Sequence, residues 1–392
     1  MIRMAFTLIG GSSWTGGHNY LKNLIAILAS HQLQRITPVL FVGDDCQEEY
    51  LSSFAAIPDI EIVKTNILNA SHRKTLLINA IILGRYKPIR TLFHEYRINV
   101  VFESAQYFGW RLGLPAIAWI PDFQHKKLPY LFSKFGLLKR EIGFRFQVMS
   151  HRTIMLSSED ARRDCEKYYP STSGRCRTVH FAIPPVSQNY DHSPGEIAAL
   201  YDLPQQFFYM PNQFWRHKNH ELVLDALVLL KKHGKNIVVV ASGKQNDPRS
   251  PEYFPEFRAK LERAGLHDSF RLIGMVPYSH LVLLMQACSA LLNPSLFEGW
   301  STTVEEARSL GVPMILSDLD VHKEQMRDEA VYFDRHSAES LAQTLENFVP
   351  MGISQREEAL LKASESANQR VKQFAENFTN LADACSKASQ GS

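Results

Sequence analysis

The chain alternates short apolar runs with amphipathic helical stretches; this alternation stops at a proline-rich break and then starts again. Before the break, apolar runs typical of buried strands cover 4–9, 37–42, 61–64, 99–102, 116–120, 153–156 and 178–181. After the break, they cover 207–210, 237–241, 270–273, 290–293 and 314–317. Strands that alternate with helices form parallel sheets covered on both faces. The sequence therefore predicts an α/β protein with two doubly wound halves.

The break runs from Pro184-Pro185 to about Pro204 and has the composition of a domain linker. The length of 392 residues suits two domains of moderate size. We predict an N-terminal domain over 1–185, a linker over 186–204, a C-terminal domain over 205–366 and a helical tail over 367–392. In doubly wound domains, ligands bind at the carboxyl ends of the strands.

The amino-acid composition indicates which binding partners and which cellular compartment to expect. The net charge of +3 lacks the strong basic excess of nucleic-acid-binding proteins, so no nucleic acid partner is expected. The five cysteines are scattered and never spaced as Cys-x-x-Cys, which argues against disulfides and structural zinc and indicates a reducing, cytoplasmic setting. The first apolar run stops at Gly10-Gly11, unlike a signal peptide, and no run reaches the roughly 20 residues that span a bilayer.

Two acidic residues eight positions apart, Glu298 and Glu306, flank the predicted start of a helix. The Gly-Trp-Ser-Thr-Thr run between them opens that helix, and the N–H groups and partial positive charge of a helix N-terminus attract phosphate. Glu298 is placed to accept hydrogen bonds from sugar hydroxyls, and Glu306 to bind a ribose diol. A capped surface helix with ordinary glutamates is the alternative interpretation.

A second polar segment, 211–220, follows a predicted strand and contains Arg216 and Lys218. Two cations at the carboxyl end of a parallel strand suit a diphosphate, since arginine offers a fork for two oxygens and lysine a point charge. The alternative is a basic helix start with a solvated face, although unpaired cations at a helix N-terminus are unfavourable. The sequence has no convincing Asp-x-Asp loop, and with these cations no divalent metal is required.

The segment Phe297-Glu298-Gly299-Trp300 through Glu306-Ala307 resembles the E-x7-E motif of the retaining GT-B glycosyltransferases of family GT4. The resemblance is strong from about 206 to 325 and loose before that. It implies a GT-B fold, in which two Rossmann-like domains face each other across a cleft and the C-terminal helix crosses back to the first domain. It also implies retaining transfer of a sugar from a nucleotide-sugar, most readily a UDP- or GDP-sugar, to a glycan or lipid-linked acceptor. The pathway implied is surface polysaccharide or lipopolysaccharide assembly, without a cofactor or metal.

The resemblance implies a role for each matching residue. Glu306 would bind the ribose, Glu298 the donor sugar, and Lys218 with Arg216 the leaving diphosphate. The donor-binding residues implied are Gly16, Gly17, Gly243, Met275, Val276, Gly299, Trp300, Ser301, Thr302, Thr303 and Glu306. His125 would position the donor sugar or the acceptor hydroxyl, and Asp122 would orient His125 or bind the acceptor.

Three features depart from the family pattern or stay open. Trp300 and Ser301-Thr302 stand where the family commonly has Phe-Gly-Leu-Pro, and the family arginine often lies further upstream, at Asn212 and Gln213. Glu305, turned about 100° from Glu306 on a helix, is expected to face solvent or to be structural. The basic, partly apolar stretch 126–152 either contacts anionic lipid or is a loop and helix with a solvated basic face.

The helical tail should bury Phe374, Phe378 and Leu381 against the first domain. Two other functions fit the same fold. One is a nucleotide-sugar 2-epimerase or hydrolase, which acts on the donor alone. The other is a catalytically inactive partner subunit, which the presence of Glu298, Glu306 and Lys218 disfavours.

Overall fold

The computed structural model describes residues 1–8, 15–31, 35–104, 106–150, 152–185 and 190–388. It divides the chain into two compact units. Unit 1 contains Met1–Phe123, Lys134–Phe181 and the chain from Arg370 onward; unit 2 contains Gln124–Ser133 and Ala182–Gln369. Each unit is built around one parallel sheet.

The sheet of unit 1 has seven parallel strands in the order β3-β2-β1-β4-β5-β6-β7. The strands are β1 Ile2–Thr7, β2 Ile36–Gly43, β3 Glu61–Thr65, β4 Val100–Ser104, β5 Ala116–Trp119, β6 Thr153–Leu156 and β7 Cys176–Thr178. The helices are α1 Thr15–His31, α2 Glu48–Ala55, α3 Arg73–Ile82, α4 Lys87–Glu95, α6 Lys134–Met149 and α7 Glu159–Tyr168; α5 Gln124–Lys127 belongs to unit 2. The central strands are mostly apolar because helices cover both faces of a parallel sheet; the buried Glu103 of β4 is an exception and pairs with Arg152.

The sheet of unit 2 has six parallel strands in the order β10-β9-β8-β11-β12-β13. They are β8 Phe208–Pro211, β9 Val239–Ser242, β10 Phe270–Gly274, β11 Ala290–Asn293, β12 Met314–Ser317 and β13 Val331–Phe333. The helices are α8 Pro194–Leu200, α9 His220–Lys232, α10 Tyr253–Ala264, α11 Tyr278–Ala287, α12 Thr302–Ser309, α13 Asp320–Met326 and α14 Ala338–Asn347. The last helix, α15 Ile353–Ala388, begins in unit 2, and its residues from Arg370 onward belong to unit 1. Separate apolar clusters pack on the two sides of this sheet, one around Leu227 and Phe257 and the other around Tyr209 and Leu284. The predicted doubly wound architecture is confirmed.

Two local predictions differ from the structure. The predicted linker 186–204 contains α8, whose start is fixed by a capping box between Ser193 and Glu196, and Ile197 is buried in the core of unit 2. The run Ser-Pro-Gly at 193–195 was interpreted as part of a linker because these residues are common in turns. The same Ser-Pro-x-Glu pattern also starts helices, with serine as the N-cap and proline at the first helical position. The second prediction is the glycine-rich run 10–17, which the sequence presents as a loop after the first strand. In the structure Gly16 and Gly17 lie in the first turn of α1, while 9–14 fall outside the described residues.

The C-terminal tail is part of α15, which is 36 residues long. Within unit 1, the Phe378 ring lies 5.6 Å from the Phe102 ring and 6.4 Å from the Phe6 ring, and the Phe374 ring lies 5.8 Å from that of Phe181. Phe374, Phe378 and Leu381 are buried, as the sequence predicts. No helix in the described part of the chain is both long and apolar enough to cross a membrane.

Candidate functional site

The candidate site of unit 2 lies where its strand order reverses, between β8 and β11. The chain leaves β8 through a single 3₁₀ turn, Arg216–Lys218, and leaves β11 through a loop that leads to α12. The backbone N–H of Leu296 in that loop donates to the His217 carbonyl at 2.8 Å, which joins the two segments. Such a reversal opens a crevice at the carboxyl ends of the strands, where doubly wound proteins bind ligands.

Lys218 and Glu298 meet at this crevice. The Lys218 ammonium donates to Glu298 Oε1 at 2.6 Å, and the two side chains are only 14% and 11% exposed. The Ser295 hydroxyl lies 2.7 Å from the same carboxylate oxygen. Burial favours a higher pKa for Glu298, but the Lys218 charge outweighs it and the pKa falls to about 2. Glu298 is therefore ionised at neutral pH.

Buried polar side chains hold the loop after β11 in shape. Asn293 accepts from the Ser295 backbone N–H at 3.2 Å and donates to the Ser301 hydroxyl at 3.1 Å. The Ser317 hydroxyl, from the end of β12, donates to the Ser295 carbonyl at 2.7 Å. Asn219, in the left-handed region with φ of 59°, donates to the Pro294 and Arg335 carbonyls. Fully bonded networks of this kind are rigid, so they fix the position of Glu298.

Three buried imidazoles surround the Lys218–Glu298 pair, and the sequence reasoning missed all of them. Burial lowers the pKa of His217 and of His220 to about 3, and it lowers the pKa of His322 as well. The rings are therefore neutral at physiological pH. His322 Nδ1 lies 2.9 Å from the Ser317 carbonyl, so this nitrogen carries the proton and the ring braces the end of β12.

The start of α12 presents backbone N–H groups. Gln325 accepts from the Ser301 N–H and donates to the Ser301 carbonyl, both at 3.1 Å. The Ser301 side chain does not cap the helix, and Thr302 is exposed while Thr303 is half-buried. The N–H groups of the first turn thus point out of a helix N-terminus that attracts anions.

Glu305 does not face solvent, so that half of the expectation was wrong and the structural half was right. Its carboxylate is buried, 3.5 Å from Gln325 Nε2 and 3.8 Å from Arg308 Nη1. Helical periodicity correctly predicts that Glu305 and Glu306 lie on different faces of α12. It does not predict which of these two faces packs against α13.

Glu306 is half-buried on α12 and hydrogen-bonds the hydroxyl of Tyr278. Burial raises the pKa of Glu306 to about 7, against the lowering effect of that hydrogen bond. Tyr278 opens α11, directly after the turn that carries Met275 and Val276, and Met275 is 71% exposed. Tyr278 was not predicted; its signal was an aromatic residue at the helix start that follows this turn.

Gly243 lies at the end of β9, where the chain passes close to the loop after β8. Its φ is 141°, and a Cβ atom would lie 2.6 Å from the Asn212 carbonyl oxygen. Its N–H donates to the Gly274 carbonyl at 2.8 Å, which ties it to the end of β10. Glycine is thus required here by close packing, whatever the residue contributes to ligand binding. Gly299 and Trp300 are half-buried beside Glu298.

Arg216 points away from the Lys218–Glu298 pair. Its guanidinium lies 3.7 Å from Glu252 and 3.8 Å from Glu256, and 5.5 Å from the centre of the Tyr253 ring. Within the described ranges, these two glutamates are its ion-pair partners. The structure therefore does not bring Arg216 together with Lys218, although the two share one turn, because alternate residues of a 3₁₀ turn point in different directions.

His125 and Asp122 fall in different units, whereas the predicted N-terminal domain contained both. Asp122, in unit 1, lies 3.7 Å from Arg140. His125 is buried on α5, in the short segment Gln124–Ser133 that belongs to unit 2. The side chain of Gln124 bonds Arg249 at 2.9 Å, which ties α5 to residues far along the chain. Such long-range packing has no periodic signal in the sequence.

Nothing in the described ranges brings three His, Cys, Asp or Glu side chains together as metal ligands would stand. The charged groups of the site are Lys218, Glu298 and, above its pKa of about 7, Glu306. The Lys218 cation and the Glu298 carboxylate thus lie beside the N-terminus of α12, which attracts anions. A second carboxylate, Glu306, lies further along α12 and interacts with the Tyr278 hydroxyl at the start of α11.

Comparison with known proteins gives a consistent result. A model of the family described as glycosyl transferases group 1 matches residues 200–369. The chain is similar to the O-antigen chain mannosyltransferase RfbU of Salmonella typhimurium, with 23% identity over 198 residues, which cover 46% of this chain and 54% of that relative. The chain thus spans about half the length of this curated relative.

Solved structures resemble nearly the whole chain. A glycosyltransferase from Rickettsia africae matches with a TM-score of 0.71 and 15% identity, covering 97% of each chain. Anabaena HepE, solved in complex with UDP and glucose, matches with a TM-score of 0.70 and 13% identity, covering 98% of this chain and 100% of HepE. At such identities the likeness concerns the fold, and it confirms the expected GT-B class.

Proposed function

We propose that this chain, whose residues 200–369 match a model of the glycosyl transferases group 1 family, is a retaining, metal-independent glycosyltransferase. It moves a sugar from a nucleotide-sugar to a glycan or lipid-linked acceptor. The observation that carries this proposal is the buried Lys218–Glu298 pair at the strand-order reversal, next to the N-terminus of α12. A sugar diphosphate needs a cation and N–H donors for its phosphates and an acceptor group for its hydroxyls, and this crevice provides all three.

In the proposed reaction, the bond from the anomeric carbon to the diphosphate oxygen breaks as the acceptor oxygen bonds to the same face of that carbon. The leaving phosphate oxygen takes the acceptor proton, so no protein nucleophile is needed. Lys218 stabilises the negative charge that grows on the diphosphate. Glu298 and His125 hold the sugar, and positioning of this kind supplies much of the rate.

The nucleotide is proposed to lie against α12 and the turn before α11. The N–H groups of Thr302 and Thr303 face the phosphates, and the Glu306 carboxylate accepts hydrogen bonds from the ribose diol. The Tyr278 hydroxyl, which bonds Glu306, orients that carboxylate. Met275 and Val276 line the base. The UDP found in the HepE complex supports a uridine nucleotide as the first to test.

The proposed acceptor is a surface glycan or its lipid-linked precursor. The similarity to a protein named O-antigen chain mannosyltransferase supports this pathway. Access to such an acceptor is proposed to use α6, where Phe135, Leu138, Ile142 and Met149 are exposed and recur on one helix face. Lys134 and Lys139 lie beside them, so α6 combines apolar and cationic side chains as membrane-surface helices do. The protein is then peripheral on the inner face of the membrane.

A nucleotide-binding panel tests the proposal directly. UDP, GDP, dTDP and ADP are added to the protein in EDTA, and unfolding is followed by temperature; a ligand of the native state raises the melting temperature. We expect one nucleotide to raise it without metal. If no nucleotide does so, or only with a divalent cation, the proposed donor site is wrong. Incubation with the matching nucleotide-sugar alone then separates transfer from the rival activities, since an epimerase or hydrolase consumes the donor without an acceptor.

A further inference from the structure

Arg249, which no motif singled out, bonds the residues that immediately precede two proposed site residues. Its Nη1 donates to Gln124 Oε1 at 2.9 Å, and Gln124 precedes His125. Its Nη2 lies 3.4 Å from His217 Nδ1, and His217 precedes Lys218. One guanidinium therefore spans the gap between α5 and the turn Arg216–Lys218.

The Arg249 side chain is itself held in place. Its Nε lies 3.3 Å from Asp247 Oδ1, and that carboxylate is buried. The guanidinium carbon lies 5.4 Å from the Trp215 ring centre and 5.5 Å from the Phe132 ring centre, one ring from each segment that it joins. Arginine combines a planar fork of donors with a face that stacks on aromatic rings, which lysine does not.

The same contacts reach the Lys218–Glu298 pair. Asp247 Oδ2 accepts from the Arg216 backbone N–H at 3.4 Å, at the start of the turn that carries Lys218. The His217 carbonyl accepts from Leu296, two residues before Glu298. Because burial lowers the pKa of His217 to about 3, its ring is neutral and Nδ1 can accept the Arg249 N–H.

We propose that Arg249 is a positioning residue that fixes α5, and with it His125, against the turn that carries Lys218. His125 and the Lys218–Glu298 pair then keep one mutual geometry around the reacting sugar. This role rests on the proposed function only in assigning His125 and Lys218 to the same donor. The contacts of Arg249 with Gln124 and His217, called the clamp below, are a property of the free protein. Arg249 is placed to act through its neighbours, and no contact of Arg249 with substrate is required.

Hydrogen–deuterium exchange tests the clamp without any ligand. The amides of Leu128, Leu131 and Phe132 donate within the segment Gln124–Ser133 and report on its order. In Arg249→Met, which keeps the aliphatic stem, we expect exchange in this segment to rise about tenfold or more, as loss of charge-assisted hydrogen bonds implies. Arg249→Lys should rescue little of it, because lysine lacks the fork. The control Arg258→Met removes an exposed arginine of α10 and should leave the segment unchanged.

Two exchange results would overturn the proposal. Unchanged protection of Gln124–Ser133 in folded Arg249→Met would show that the contacts hold nothing in place. Faster exchange throughout unit 2, in the strands as well as the segment, would show that Arg249 only supports the fold.

Binding and turnover give the functional readout. UDP and GDP are titrated into each variant, and release of nucleotide from UDP- and GDP-hexoses is followed. We expect Arg249→Met to bind the nucleotide within about threefold of the unsubstituted protein, while kcat falls about 100-fold, the size that a misplacement of roughly 1 Å produces. A tenfold loss of nucleotide affinity with the segment still protected would make Arg249 a diphosphate ligand and overturn the positioning role. If the unsubstituted protein binds neither nucleotide, the proposed function fails, and the exchange result still decides the clamp.

Discussion

The ammonium of Lys218 lies 2.6 Å from Oε1 of Glu298, with both side chains largely removed from solvent. The pair joins the turn after β8 to the loop after β11, on the two sides of the reversal of strand order. Buried ion pairs contribute little net stability, because the cost of desolvation offsets their attraction. The pair therefore adds little to the stability of the fold, and its place in the crevice is the one that the proposed donor site requires.

Lys218→Met should slow transfer strongly and weaken the fold. The substitution leaves the Glu298 carboxylate buried without its cation, and breaking a fully buried pair in this way costs about 3–5 kcal/mol, which is an upper figure for a pair that keeps some contact with solvent. Loss of the cation at the leaving diphosphate should lower kcat by about 100-fold or more. Urea denaturation measures the first effect and steady-state turnover the second.

The double variant Lys218→Met with Glu298→Gln separates the two effects. It removes the unpaired charge, so stability should recover in part while turnover stays low.

The dependence of stability on pH in the acid range offers a second check. The pKa of Glu298 is lowered from 4.5 to about 2, so its contribution to stability is complete above pH 4.5 and is lost as pH falls toward 2. Lys218→Met should lack this loss of stability toward low pH. If Lys218→Met kept both the stability and the turnover of the unsubstituted protein, the assignment of Lys218 would be contradicted.

Glu306 should make both stability and nucleotide binding depend on pH. Its pKa is raised from 4.5 to about 7, so the folded protein holds a proton that the unfolded chain has lost, and stability falls as pH rises from 4.5 to 7. An ionised carboxylate accepts both hydroxyls of a ribose, so nucleotide affinity should rise as pH passes 7. Glu306→Gln should flatten both profiles. Stability is measured by denaturation and nucleotide affinity by calorimetric titration, both from about pH 5 to about pH 8.5, a range that brackets this pKa.

A deoxyribose ligand is the matched control for this prediction. The unsubstituted protein should bind 2′-deoxy-UDP about 1–3 kcal/mol more weakly than UDP, because one acceptor loses its donor. Glu306→Gln should discriminate less between the two. Tyr278→Phe removes the hydrogen bond that lowers the Glu306 pKa, so it should move both profiles to higher pH. Equal discrimination in Glu306→Gln and in the unsubstituted protein would show that Glu306 does not bind the ribose.

The sequence predicted the central strands well because each is buried on both faces and reads as a continuous apolar run. Of the four edge strands, β3 and β10 were also predicted closely, but β7 and β13 were harder. β13 is three residues long, begins at an exposed Val331 and was missed, and β7 was placed two residues too late. At a sheet edge one side meets solvent, so the apolar pattern that defines a strand is weaker.

The sequence offers candidate site residues where one local segment carries them, and it gives no signal for the residues that meet from distant segments. Lys218, Glu298 and Glu306 came from local motifs. Asn293, Ser295 and Ser317 shape the loop through contacts that no local pattern encodes. Arg216 shows the converse, since its place beside Lys218 in the chain predicted a shared role, yet its guanidinium faces α10.

Arg216→Met should therefore cost less activity than Lys218→Met. Arg216 pairs with two exposed glutamates on or beside α10, and exposed pairs contribute about 0.2–1 kcal/mol at most. We expect stability to change little and turnover to fall less than about tenfold. Parallel measurement of kcat and nucleotide affinity in the two variants tests this. An equal loss in both would mean that Arg216 leaves its glutamates to bind the diphosphate.

Contact with anionic lipid through α6 should depend on its cations and its apolar face separately. Lys134→Glu with Lys139→Glu should weaken binding to vesicles of phosphatidylglycerol and phosphatidylcholine by about 1 kcal/mol or more for each cation removed. The loss should shrink at high salt, because salt screens surface charge. Phe135→Ser with Leu138→Ser should weaken binding at every salt concentration, since the apolar contribution is not screened. Vesicle co-sedimentation measures all of these.

A charge-matched variant on another surface makes the lipid test specific. Lys232→Glu with Arg263→Glu changes the net charge equally, on exposed positions of α9 and α10 in unit 2. If α6 is the contact, this control should bind anionic vesicles nearly as well as the unsubstituted protein, and vesicles of phosphatidylcholine alone should bind none of the variants strongly. Equal weakening by both pairs of substitutions would show that vesicles sense only the net charge. In that case the exposed face of α6 would be free to meet a protein partner or the acceptor itself, and the peripheral membrane site would have to be abandoned.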